Sequence, residues 1–108
     1  MEKRYEIKFY VGTGYDKTGR PIENVIGKLS QAELVLTGYF RGATAYLHSG
    51  LWAETPASRI TAEDGVTYVT IIEAADLSQV RPAAEELRDI FNQTCILVTR
   101  AVIEGEFI

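Results

Sequence analysis

Residues 5–11 alternate in character: Tyr5, Ile7, Phe9 and Val11 fall on one side, Glu6, Lys8 and Tyr10 on the other. A period of two predicts a strand with one buried face. It ends at Gly12-Thr13-Gly14, and the polar stretch Tyr15-Asp16-Lys17-Thr18-Gly19-Arg20 reads as a loop. Val25, Leu29, Ala32, Leu36 and Tyr39 then recur at helical spacing, which predicts a helix within residues 22–39. Pro21 is suited to the first helical position, while Ser30-Gln31-Ala32-Glu33 offers a capping box, so a restart at Ser30 is the alternative. Residues 42–52 read as a second strand, with Ala43, Ala45 and Leu47 facing away from Thr44, Tyr46 and His48. Glu63-Asp64-Gly65 carries the Asp-Gly signal of a hairpin turn, and Val66 to Glu73 is a β-branched third strand. Val80, Ala83, Ala84, Leu87, Ile90 and Phe91 form the stripe of a second helix. Pro82 belongs in its first turn, which sets the start near Ser78. Thr94 to Ile103 is a fourth strand.

The order βαββαβ with two crossovers predicts a single α+β domain over residues 1–108. It is a ferredoxin-like plait: a four-stranded antiparallel sheet with two helices on one face. The first two strands put Glu6, Lys8, Tyr10, Thr44, Tyr46 and His48 on the open face. Strands three and four are apolar on both sides, through Val69 and Ile71, Leu97, Ala101 and Ile103. A sheet apolar on both sides needs cover on both sides, which points to a homodimer or larger homo-oligomer formed through the sheet. Residues 53–62 folding back over the sheet would serve the same purpose.

Composition narrows the function classes. Eleven Lys and Arg against fifteen Asp and Glu give a net charge of −4, which argues against a surface that wraps duplex nucleic acid. No apolar run reaches the roughly 20 residues of a membrane span, and nothing resembles a secretion signal. Cys95 is the single cysteine, so no internal disulfide or Cys-rich metal site forms, and a reducing cytoplasm is the expected setting. Cys95 itself reads as a buried structural thiol. No cofactor or metal is called for.

Candidate chemistry is sparse. Gly12-Thr13-Gly14 with Gly19 lies between a strand and a helix, where bare N–H groups suit an anion, with Thr13, Tyr15, Lys17 and Arg20 as contributors. The plain alternative is a turn that needs glycine. There is no Gly-Lys-Ser/Thr, so this is not a Walker loop. His48 is the single histidine and has no triad partner at a recognisable spacing. Trp52 and the tyrosines are suited to stacking on a flat ligand, or simply to packing. Arg41, Arg59 and Arg100 fall at or near predicted strand ends, where a subunit junction would gather them. Thr13, Tyr15, Arg20, His48, Trp52, Arg59 and Arg100 are therefore the candidate ligand-binding residues, and none is assigned to catalysis.

Two resemblances attach to these segments. Gly42-Ala43-Thr44-Ala45-Tyr46, with Gly50-Leu51-Trp52 after it, looks like small bacterial and phage proteins of dimeric ferredoxin-like type. Tyr10-Val11-Gly12-Thr13-Gly14-Tyr15 resembles the strand-to-loop passage of phage-encoded sponges, which sequester nucleotide signals of bacterial immunity such as cyclic ADP-ribose isomers. The second resemblance implies a non-enzymatic oligomer that holds a small anionic, nucleotide-like ligand with arginine, aromatic and backbone groups at subunit interfaces. Two alternatives stand beside it. One is a protein-interaction or structural module that pairs through an edge strand. The other is a small cofactor-free dimeric α/β-barrel enzyme with His48 as acid–base.

Overall fold

The computed structural model describes residues 3–52, 57 and 61–108. The strands are β1 (Lys3–Gly12), β2 (Thr44–Trp52), β3 (Thr61–Ile72) and β4 (Leu97–Glu104); the helices are α1 (Val25–Phe40) and α2 (Val80–Ile90). A 3-10 segment, Ala74–Gln79, leads into α2. The sheet order is β2-β3-β1-β4, with every pair antiparallel. This is the expected ferredoxin-like plait.

The alternating pattern of β1 carries the core. Ile7, Phe9 and Val11 are fully buried and meet Val66, Tyr68 and Ile72 of β3 on the same face. Ala32 and Leu36 of α1, Ala83 and Leu87 of α2, and Phe91 close over them. Each large apolar side chain so buried contributes roughly 1.5–3 kcal/mol.

Three local expectations change. Helix α1 neither opens at Pro21 nor breaks at Ser30. Pro21 instead bridges Tyr15, and the Ile22 N–H donates to the Gly14 carbonyl at 3.0 Å, so the chain before α1 is tied back on itself. Asn24, at φ 51°, is the N-cap, and its side chain accepts the Gly27 N–H. Arg41, at φ 69°, ends the helix with its N–H on the Thr37 carbonyl. Second, Glu63-Asp64-Gly65 is not a turn. Glu63 pairs with Gly50, Asp64 with Ser49, and Gly65 with both His48 and Gly12, so β3 runs through the Asp-Gly dipeptide. The chain passes from β2 to β3 through residues 53–60. Third, Cys95 is exposed rather than buried, because it precedes β4 at the sheet edge.

The uncovered apolar surface is only partly where the pattern put it. On the open face, Leu97 is 61% exposed, while Val69, Ile71 and Ile103 are half-buried among their neighbours. The helices cover β1 and β3 but leave β2 bare: Leu47 and Leu51, on its helix-side face, are each 75% exposed. Among the described residues no helix is long and apolar enough to cross a membrane.

Candidate functional site

The register of the sheet places a set of polar groups on its open face. In one row, His48 of β2 stands beside Gly65 of β3, which stands beside Gly12 of β1. Two glycines side by side leave space above the backbone that neighbouring side chains occupy. In the next row lie Tyr46, Thr67 and Tyr10. On the other side Glu63 lies opposite Gly50. The result is a pocket of about 190 Å³ whose wall and end groups are Tyr10, His48, Glu63 and Asp64. A second hollow of about 310 Å³ adjoins it through Tyr10 and holds Glu6, Lys8 and Tyr46.

The glycines are required by what lies against them. A Cβ on Gly12 would sit 2.7 Å from Glu63 Oε1, and one on Gly14 would sit 3.0 Å from Glu63 Cγ. A Cβ on Gly65 would meet His48 Cε1 at 2.8 Å and the Val11 carbonyl at 3.0 Å. Gly12 and Gly14 thus make room for the Glu63 carboxylate, and Gly65 makes room for the imidazole. Glu63 Oε1 accepts the Tyr15 N–H at 3.2 Å, and His48 Nε2 lies 2.8 Å from Thr67 Oγ1. Ser49 Oγ donates to Asp64 Oδ1 at 3.2 Å.

The loop between β1 and α1 is fixed rather than free. Asp16 Oδ1 accepts the Thr18 hydroxyl at 2.6 Å, the Thr18 N–H at 2.8 Å and the Arg20 N–H at 3.2 Å. The Thr18 hydroxyl is the largest cause holding the Asp16 carboxyl below its ordinary value. Gln93, just past α2, points its amide at the carbonyls of Tyr15 and Gly12, at 2.8 and 3.3 Å. The backbone N–H groups expected to cradle an anion are therefore largely engaged. The Thr13 N–H donates to the Asp64 carbonyl at 2.9 Å, and the Thr13 side chain is 7% exposed.

The structure separates the seven residues singled out from the sequence. His48 lies in the open-face pocket. Tyr15 stands beside it and contributes its N–H to Glu63, while its side chain is exposed. Thr13 is buried just past the end of β1. Arg20 lines a different groove, with Asp16, Ile22 and Phe91. Arg100 is in the middle of β4, not at a strand end, and on the opposite, helix-side face, with its guanidinium 6.0 Å from the Tyr5 ring centre. Arg59 and the Trp52 side chain lie outside the described residues. The residue that sequence reasoning misses is Glu63, because the Asp64-Gly65 signal places it in a turn. The available signal was glycine at 12, 14 and 65: facing glycines in a ladder leave space for a side chain from a neighbouring strand.

Among the described residues, no three His, Cys, Asp or Glu side chains cluster as a metal site. What the pocket offers is a carboxylate with a fixed oxygen, an imidazole held at one nitrogen and Tyr10, with a second tyrosine, Tyr46, in the adjoining hollow.

No family model matches the chain, and no curated protein sequence matches it. Solved structures do. A phage S-adenosylmethionine lyase in complex with S-methyl-5′-thioadenosine is 19% identical at TM-score 0.64, over 100% of this chain and 95% of that one. The apo state of a phage S-adenosylmethionine lyase is 16% identical at TM-score 0.66, over 96% and 91%. A Bacillus cereus protein related to NIF3 is 10% identical at TM-score 0.67, over 96% of this chain and 26% of that one. At these identities the likeness establishes a fold that a phage protein also uses. It also overturns the expectation of a non-enzymatic protein sequestering a nucleotide signal: the solved chains sharing this fold from end to end are an enzyme.

Proposed function

We propose that this chain is a lyase that cleaves S-adenosylmethionine in the open-face pocket. The observation that carries the reading is the Glu63 carboxylate, seated against the Gly12–Gly14 backbone at the end of a pocket that His48 walls. The end-to-end likeness to phage S-adenosylmethionine lyase supports the reaction class. Charge supports it too. The substrate carries a sulfonium and an ammonium against one carboxylate, and a chain of net charge −4 attracts such a cation.

A lyase breaks the carbon–sulfur bond without water. The electron pair stays on sulfur, and S-methyl-5′-thioadenosine leaves as a neutral thioether. The remaining four-carbon amino-acid fragment closes through its own carboxylate oxygen or loses a proton to a base. The sulfonium charge vanishes along this path. A carboxylate against the sulfur would stabilise the starting state more than the transition state and so slow the step. Glu63 is accordingly assigned to the ammonium or a ribose hydroxyl, whose state does not change in the cleavage. His48, held at Nε2 by Thr67, has its other ring nitrogen left to take a proton if the fragment eliminates.

The test is incubation of the purified protein with S-adenosylmethionine in ¹⁸O-water, with products followed by liquid chromatography and mass spectrometry. Release of S-methyl-5′-thioadenosine with no ¹⁸O in the initial four-carbon product is expected. No release, or ¹⁸O incorporated during the cleavage, would overturn the reading.

Self-association belongs to the same proposal. It is supported by Leu47 and Leu51, bare on an edge strand whose outer backbone is unpaired within the described chain. Light scattering is expected to give a multiple of the 12.0 kDa chain, and Leu47→Lys with Leu51→Lys to reduce it to a monomer.

A further inference from the structure

On the other side of the sheet, α2 overhangs the edge strand β4. Between them runs a groove of about 460 Å³. Its floor is apolar, made by Leu77, Val80 and Ala84 from the α2 side and by Ile96 and Val98 from the β4 side. Its rim carries Arg81, Arg88 and Arg100 against one carboxylate, Glu85. This chain is acidic overall and has only seven arginines, yet three of them meet at this one groove. Arg88 is partly engaged, its Nε 3.1 Å from Asp89 Oδ1. Arg81 and Arg100 make no ion pair among the described residues; Arg100 rests near the Tyr5 ring. A planar guanidinium fork suits a carboxylate or another oxyanion, and a dry floor suits a flat apolar body.

We propose that the α2–β4 groove binds a small organic anion with an apolar body, an aromatic carboxylate being the simplest case. The site is separate from the open-face pocket and is opposite to it in charge preference. It does not depend on the lyase reading. Arg81 and Arg100 hold the anionic head, and the Val80–Ala84–Val98 floor takes the ring.

The experiment is a titration of the full ¹⁵N-labelled chain with 2-naphthoate, followed by amide shifts. Saturable shifts confined to residues 77–88 and 95–100 are expected, with those of 10–13, 48–50 and 63–67 unmoved. Uncharged 2-naphthylmethanol and acetate should each bind at least tenfold more weakly, since each lacks half of the match. Arg81→Gln with Arg100→Gln should weaken 2-naphthoate at least tenfold. Ala84→Phe, which fills the groove without touching a charge, should abolish the shifts; the same spectra report that each variant is folded. No saturable shift, shifts on the open face instead, or undiminished binding in either folded variant would overturn the proposal.

Discussion

Tyr68 holds a buried polar group whose cost can be measured. Its side chain is 2% exposed, packed in the core opposite Phe9, and its hydroxyl has no hydrogen-bond partner among the described residues. A buried hydroxyl left unsatisfied costs about 1–3 kcal/mol. Tyr68→Phe removes the oxygen and keeps the ring, so the variant should be more stable by about 1–2 kcal/mol. For a domain near 100 residues that raises Tm by roughly 4–8 °C per kcal/mol. The same group sets an alkaline limit. Burial, and then the charge of Glu33, push the Tyr68 hydroxyl from its ordinary 10.0 up to about 12. The folded state holds this proton more tightly than the unfolded state does. Its contribution is therefore intact below pH 10 and is lost as pH climbs from 10 towards 12. Tyr68→Phe lacks that loss, so its advantage should widen across this window. Thermal and urea denaturation followed by circular dichroism at pH 7, 9, 10 and 11 reads both effects. A variant less stable than the parent by about 1 kcal/mol or more would refute the reasoning, because it would mean that the hydroxyl is hydrogen-bonded in the native protein.

Four further outcomes follow from the same structure. Gly38→Ala, with open space where the Cβ would go, should stabilise α1 by about 1 kcal/mol, whereas Gly27→Ala should change stability by less than about 0.5 kcal/mol. At Gly27 the new Cβ would lie 2.4 Å from Asn24 Nδ2 and expel the N-cap, offsetting the helix gain; urea midpoints check both. Asp16 has a lowered carboxyl pKa in the fold, so its contribution is present above its ordinary 3.8 and lost as pH falls through the folded value; the Thr18 amide shift should titrate below 3.8. Gly12→Ala should leave a folded domain but push the Glu63 carboxylate from its seat, lowering kcat/KM for S-adenosylmethionine at least tenfold while far-ultraviolet circular dichroism is unchanged.

Much of the architecture is legible in the sequence, because β1 and α2 each carry an unambiguous period. Tyr5-Ile7-Phe9-Val11 can bury only one face, and Val80, Ala83, Leu87 and Phe91 share one stripe. Local turn chemistry is where the reading fails. Asp64-Gly65 favours a turn in isolation, but β3 lies between β2 and β1, and pairing on both edges outweighs that preference. That one misreading hid the site, since it took Glu63 off the sheet and away from Gly12 and Gly14. Ser30 carries a capping box, yet the helix is already running when the chain reaches it, and Asn24 in a left-handed conformation is a start that no short pattern announces. Position along the chain does not say which face of the sheet an arginine occupies. The pleat sends Arg100 to the face opposite His48, and nothing short of the strand register reveals that two separate places are involved. The apolar neighbours of Cys95 suggest burial, but they belong to an edge strand with solvent beside it.

The central claim is that Glu63, seated on bare glycine backbone, equips the open face to cleave S-adenosylmethionine. The most direct test compares the parent chain with Glu63→Gln, measuring S-methyl-5′-thioadenosine release over a range of substrate concentrations. Release by the parent is expected, with kcat/KM at least tenfold lower in a folded Glu63→Gln variant. A folded variant that releases the thioether as fast as the parent would contradict the assignment of the site, and a parent that releases none would contradict the function.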